Sequence, residues 1–383
     1  MTRRTTIGAA VIAATLLLAG CGTTALEASG TTTTTEATTT SETVTTTADA
    51  VVEGVDVDWS SLPTTEIALS DAGVTITEAG TYVLTGSSTG QVVVDTDGAV
   101  RLVLDGVTIA TATGAAIQID AADLTVIELA DGSTNTVSDA ATRSDETIDG
   151  AIYSADDLYI TGTGSLSVAS NFADAIVGKD DVWILGGTIS IASVDDGIRG
   201  KDSLSISGGT ITLDTAGDAL KSSNDTDAGK GVLVISGGDI TIAAGDDAIK
   251  AEQKLSITGG TIDITDSVEG IEAPVIVIDG GDISLYASDD GINASASAIV
   301  TSGLSITING GNLSIEMGSG DTDAIDSNGD LTITGGTIDV TAQFAFDFDG
   351  TGTMSGGDVT VNGETVTQLE NSMMMGGGGG GRR

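Results

Sequence analysis

A short acidic phrase returns at nearly constant spacing through the second half of the chain. It reads Asp174-Ala175-Ile176, Asp196-Gly197-Ile198, Asp218-Ala219-Leu220, Asp247-Ala248-Ile249, Glu269-Gly270-Ile271, Asp290-Gly291-Ile292 and Asp323-Ala324-Ile325. Successive acids lie 22, 22, 29, 22, 21 and 33 residues apart. Between them comes a second phrase, two glycines followed by a polar and an aliphatic residue, from Gly186-Gly187-Thr188-Ile189 to Gly356-Gly357-Asp358-Val359. A unit of this size cannot bury a core alone, so it must stack on copies of itself. Within a unit, Ser203-Leu204-Ser205-Ile206 and Thr210-Ile211-Thr212-Leu213 alternate polar with apolar, the period-two pattern of a half-buried strand. The expectation is an all-β fold, a right-handed parallel β-helix of about twelve rungs near 22 residues each. Alternation puts Ile198, Leu204, Ile206, Ile211 and Leu213 in the bore and Arg199, Ser205, Thr210 and Thr212 outside.

Composition narrows what such a coil can bind. Only 3% of the 383 residues are aromatic, which suits a narrow bore of stacked Ile, Leu and Val. With 56 acidic and 13 basic residues the formal charge is −43, a surface that repels nucleic acid and draws divalent cations. There is no histidine and one cysteine, which excludes histidine acid–base chemistry, disulfides and cysteine-rich zinc sites. That cysteine has a specific context. Arg3 and Arg4 precede an apolar run that closes on Leu18-Ala19-Gly20-Cys21, a pattern resembling the bacterial lipoprotein signal, with Cys21 as the lipidated residue.

The chain accordingly divides into a signal peptide (1–20), a Thr/Ser-rich stalk (21–55), the β-helix (56–365) and a Met/Gly-rich tail (366–383). The expected product is a monomer on the extracellular face of the cytoplasmic membrane, touching the membrane through its lipid alone. Phe344, Phe346 and Phe348 alternate near the end of the coil and are expected to plug its last rungs.

Stacking turns repeated positions into columns. The acid phrase gives one, Asp174, Asp196, Asp218, Asp247, Glu269, Asp290 and Asp323, preceded in three rungs by Asp195, Asp246 and Asp289. Like charges about 5 Å apart repel, and calcium, which takes six to eight oxygen ligands, relieves the conflict. Aspartates at turns also cap backbone N–H groups without any ion. The candidate Ca2+ ligands are Asp195, Asp196, Asp218, Asp246, Asp247, Glu269, Asp289, Asp290, Asp321, Asp323 and Asp326, the last three from the densest acidic cluster. Three residues beyond each acid runs Val177, Arg199, Lys221, Lys250, Glu272, Asn293 and Asp326, expected to point outward. Arg199, Lys221 and Lys250 in that column either balance the acids beside them or contact a ligand. Two extra segments, 222–231 and 294–303, leave the coil just past this column, the side on which solenoids commonly bind.

Thr81-Tyr82-Val83-Leu84-Thr85-Gly86, Leu104-Asp105-Gly106-Val107-Thr108-Ile109 and Gly114-Ala115-Ala116-Ile117, followed by the Asp-Gly-Ile and Gly-Gly-Thr-Ile rungs, resemble a secreted bacterial carbohydrate-binding β-helix family. The resemblance runs from roughly Ile67 to Gly363. It implies calcium in the folded domain and a polysaccharide partner, cellulosic or acidic, on a fold close to calcium-dependent pectate lyases. A uronic acid polymer would meet calcium and the strip of Arg199, Lys221 and Lys250. Binding without catalysis is the expectation. The alternatives are a pectate-lyase-like β-eliminase, with Lys221 or Lys250 as base and Arg199 stabilising the enolate, and a structural spacer or adhesin.

Overall fold

Three short strands make each unit, and every one pairs in parallel with its counterpart one unit on. The computed structural model describes residues 57–320 and 322–371, and within them the chain is all β apart from one 3-10 turn at Trp59–Ser61. One sheet holds twelve strands and carries the acid phrases; the other holds twenty-four. The longer sheet runs as two lanes, which merge where Gly80–Ser88 and Val100–Ala110 are long enough to serve both. Register is set by the repeat. Ile198 lies beside Leu220, Leu204 beside Leu233 and Ile211 beside Ile240.

The bore follows from alternation as expected: Ile198, Leu204, Ile206, Ile211 and Leu213 all belong to one continuous apolar core running from Leu69 to Val359. Each buried Ile or Leu contributes on the order of 1.5–3 kcal/mol, enough when summed to offset the ordering of many short strands. The double glycines make one corner of every unit. The second glycine has φ near +97° at Gly209 and +98° at Gly238, which L side chains rarely adopt, and a Cβ on Gly237 would stand 2.5 Å from the Ser207 carbonyl oxygen of the preceding unit.

At the C-terminal end Phe346 is buried in the core and Phe348 packs against it, as the plug reading requires. The edge beyond is paired by a hairpin: Glu364–Val366 runs antiparallel to Asp358–Val361 through a turn at Asn362 and Gly363, both with positive φ.

The column expected to face outward is corrected in two places. Val177 is fully buried and Asn293 is 6% exposed. Val177 belongs to a small second cluster with Ala115 and Tyr153, against which Ile148 packs. That cover comes from residues 139–149, which Arg143 pins by bonding the Asp139 carboxylate and the carbonyls of Ile148 and Gly150. The first extra segment is equally well knit. Asn224 is fully buried and donates to Asp202, while Gln253 donates to the carbonyls of Asn224 and Asp227. Ser222 itself belongs to the strand Leu220–Ser222, so the inserted loop begins one residue later.

Candidate functional site

The acid column forms a ladder along the twelve-stranded sheet, in which Asp174, Asp196, Asp218 and Asp290 bond the next unit's backbone. One oxygen accepts the backbone N–H of the acid in the next unit: Asp196 N–H to Asp174 Oδ1 at 3.2 Å, Asp218 to Asp196 at 3.0 Å, Asp247 to Asp218 at 3.0 Å, Asp323 to Asp290 at 3.0 Å. The turn-capping role is therefore present. In the first half of the ladder the other oxygen meets a cation. Arg199 bridges Asp149 and Asp174 at 2.5 and 2.6 Å; Lys221 bridges Asp196 and Asp218 at 3.0 and 2.7 Å; Lys250 bridges Asp247 and Glu272 at 2.6 and 2.5 Å. Arg199, Lys221 and Lys250 are neighbours in register, so cations and carboxylates interlock like a zip.

Electrostatics follow from this arrangement. Burial pushes the Asp174 carboxyl up to about 6 against the pull of Arg199, and burial lifts Asp196 against Lys221. Asp247 rises to about 7, again through burial first. Burial alone would lower the three cations, but their paired carboxylates outweigh it and hold all three above their ordinary values. They stay charged at any physiological pH.

Beyond Lys250 the column changes to Glu272, Asn293 and Asp326, and the compensating cations stop. Burial, then the charges of Glu272 and Asp247, raise Glu269 to about 8. Burial, then Asp290 and Asp347, raise Asp326 to about 7. Asn293 donates to Glu269 Oε1 at 3.1 Å, yet Asn293 Oδ1 and Glu269 Oε2 are buried acceptors with no hydrogen-bond partner. Orphaned acceptors among like charges are costly, and a hard cation satisfies both defects at once.

The ladder's buried oxygens left open to a metal ion therefore lie beyond Lys250 rather than before it. The groups Asp174, Asp195, Asp196 and Asp218, Asp246, Asp247 bring carboxylate oxygens within 4.8 Å of one another, but Arg199 and Lys221 already occupy oxygens there. In the third group, Asp247, Glu269 and Glu272, Lys250 occupies oxygens of Asp247 and Glu272, and Glu269 is the member that no cation among the described residues reaches. Of the remaining candidate ligands, Asp195, Asp246 and Asp289 are exposed, Asp290, Asp323 and Asp326 are half-buried, and Asp321 lies outside the described residues, as does Cys21.

Next to the zip is an open groove of about 540 Å³ lined by Lys179, Asp196, Arg199, Lys201, Lys221, Ser223 and Glu252. Four of its seven side chains are cationic. Lys179 is held by Asp149 at 3.0 Å with its ammonium 5.5 Å from the Tyr153 ring centre, whereas Lys201 is exposed and forms no ion pair among the described residues. The sequence reading missed Lys179, Lys201 and Asp149. Asp149 was findable: Gly150 pairs with Asp174, so the acid of that unit sits one place early in Asp149-Gly150-Ala151-Ile152.

The family model of carbohydrate-binding domain-containing proteins matches residues 70–343. A carbohydrate-binding domain-containing protein of Acetivibrio thermocellus is 35% identical over 192 residues, which is 48% of this chain and 63% of that protein. The chain thus spans under two thirds of that relative's length. A solved structure described as a polysaccharide lyase-like protein from C. thermocellum, a gadolinium derivative, is 32% identical, with TM-score 0.49, over 57% of this chain and 92% of that one.

Proposed function

The chain belongs to the family of carbohydrate-binding domain-containing proteins, and on that footing we propose that it is a calcium-binding lipoprotein that holds an acidic, uronate-bearing polysaccharide without cleaving it. The observation that carries this reading is the groove of Lys179, Arg199, Lys201 and Lys221 on a molecule of formal charge −43. A polyanion needs a cation not already neutralised by the protein, and of the groove's four cations Lys201 is the one with no ion pair among the described residues. Arg199, Lys221 and Lys179 are anchored by their own carboxylates, and exposed Lys201 is the group available to pair with a sugar carboxylate.

Calcium would be held by Glu269, Asn293, Asp290 and Asp326, which stand on the same sheet as the groove. When bound, the ion offers positive charge and open oxygen coordination to a sugar carboxylate. A polymer laid along the column would meet the fixed cations first and the calcium-bearing stretch next.

The lyase reading is disfavoured by a specific feature. An eliminating base must be neutral, and Lys221 and Lys250 are each clasped by two carboxylates that keep them protonated. We further read the coil as right-handed, of about twelve rungs, spanning 56–365. It would be carried as a monomer on a stalk (21–55) and tethered through Cys21 to the extracellular face of the cytoplasmic membrane after loss of residues 1–20, with 366–383 as a tail.

The test is polygalacturonate binding in calcium by the parent and by Lys201→Glu and Lys179→Gln variants. Loss of affinity in both, growing weaker at high salt, is expected. Unchanged binding in both variants would remove the groove from the account. Arg199, Lys221 and Lys250 are unsuitable for this test, because removing any of them strands buried carboxylates.

A further inference from the structure

We propose that residues 372–375, of sequence Ser-Met-Met-Met, seal the C-terminal end of the coil by adding as an antiparallel strand to the open edge of Phe344–Phe348. This seal is independent of the cationic groove, of calcium and of any polysaccharide.

Phe344–Phe348 is the last strand of the twelve-stranded sheet, and among the described residues it pairs only with Asp323–Ser327 behind it. Just past its end, the Asp349 N–H still reaches back to the Ser327 carbonyl at 3.0 Å. Backbone groups point alternately to the two sides of a strand, so those of Phe348, Phe346 and Phe344 face the open edge. Such an edge is a template for another strand.

Beside it lies an apolar groove of about 610 Å³, lined by Phe344, Phe346, Val361 and Val366 with Gln343 and Glu370 exposed around them. Phe346 is buried, but Phe344, Val361 and Val366 are only half-buried. Phe348 does not fill the space. Its ring lies over Gly352, where a Cβ would stand 2.5 Å from the ring's Cζ.

The chain itself leads to this groove. After Glu364–Val366 it packs Leu369 on the core, and the Asn371 side-chain amide then donates to the Phe348 carbonyl at 2.6 Å. The described residues thus stop at one end of the open edge. A strand running on antiparallel from Asn371 opposite Phe348 would set Met373 opposite Phe346 and Met375 opposite Phe344. Opposed residues share a face, so both thioethers would enter the groove while Met374 turns to the other side. Unbranched methionine suits an irregular apolar groove. Continuity decides the occupant: a segment tethered at the groove's mouth has an effective concentration on the order of mM, which a separate chain would have to match. The seal would deny a sheet end that the hairpin leaves unpaired to strand addition by other chains.

The intact protein is compared with a variant ending at Ser372 and with one lacking only residues 376–383. Hydrogen exchange of the Phe344 and Phe346 amides, read by mass spectrometry, should be roughly tenfold or more faster in the variant ending at Ser372 and as slow as the parent in the variant that keeps the methionines. Register is tested on the parent with dilute hydrogen peroxide, which passes one oxygen to a methionine sulfur and is reduced to water. Met374 should be oxidised several-fold faster than Met373 and Met375 in the folded protein, and all three alike after denaturation. Equal exchange in the parent and the variant ending at Ser372, or equal oxidation of the three methionines in the folded parent, would overturn the proposal. So would protection that grows with protein concentration, because the groove would then hold the tail of a second copy.

Discussion

Lys221 sits where the account is most exposed to failure, because the structure gives it a structural duty as well as a place in the groove. Replacing it with Met keeps the length of the chain and removes the charge between Asp196 and Asp218, whose side chains are 9% and 4% exposed. Removing one partner of a buried ion pair costs about 3–5 kcal/mol. Lys221 is itself 24% exposed, so solvent screens part of the interaction and the expected loss is about 2–4 kcal/mol. In a thermal melt at pH 7.5 with chelator that is a fall of roughly 3–6 °C. Two controls bind the number to its cause. The loss should shrink as the pH is lowered, since burial raises the Asp196 carboxyl against the pull of Lys221. In the double variant Lys221→Met, Asp218→Asn about half of the stability should return, because an Asn Oδ1 can still accept the Asp247 N–H now bonded at 3.0 Å. A Lys221→Met protein as stable as the parent at pH 7.5 would refute the zip, and so would a loss that Asp218→Asn leaves untouched.

Other outcomes follow from the same geometry. Glu269 and Asp326 have folded-state values raised to about 8 and 7, so the folded chain binds protons that the unfolded chain releases near pH 4; without metal, stability should fall as pH rises from 5 to 8. Chemical denaturation in chelator checks the slope, and a rising curve contradicts it. Calcium should raise the melting midpoint at pH 7.5, and Glu269→Gln with Asp326→Asn should abolish that rise while making the metal-free protein more stable. Ile249→Ala empties part of the bore beside Leu220 and Ile271 and should cost about 2–5 kcal/mol in a denaturation midpoint, with polygalacturonate affinity preserved in the fraction that folds.

Much of the fold is legible in the sequence because a solenoid is written as a repeat. The period near 22 and the alternation within Ser203-Leu204-Ser205-Ile206 are enough to assign Leu204 and Ile206 to the bore, and burial agrees. Columns are legible for the same reason: once Arg199, Lys221 and Lys250 share a place in the repeat, the ladder must bring them together. What the columns do to each other is not legible, since spacing gives adjacency but not which oxygen meets which nitrogen. The choice between charge balance and ligand contact needed the 2.5–3.0 Å contacts that clasp these cations. Segments outside the repeat are hidden too. Nothing periodic marks residues 139–149, so neither the cover over Val177 nor the bridge from Asp149 to Arg199 could be read in advance. The orphaned oxygens of Glu269 and Asn293 lie deeper still, because a missing partner has no sequence signature.

The most direct measurement is an isotherm of polygalacturonate binding to the intact protein at pH 7.5 and about 0.1 M salt, run in calcium and again in chelator. Saturable binding in calcium, a marked loss in chelator, and no unsaturated-uronide absorbance over the course of the titration are expected. Binding that is indifferent to chelator and to salt, or steady growth of that absorbance, would contradict this expectation.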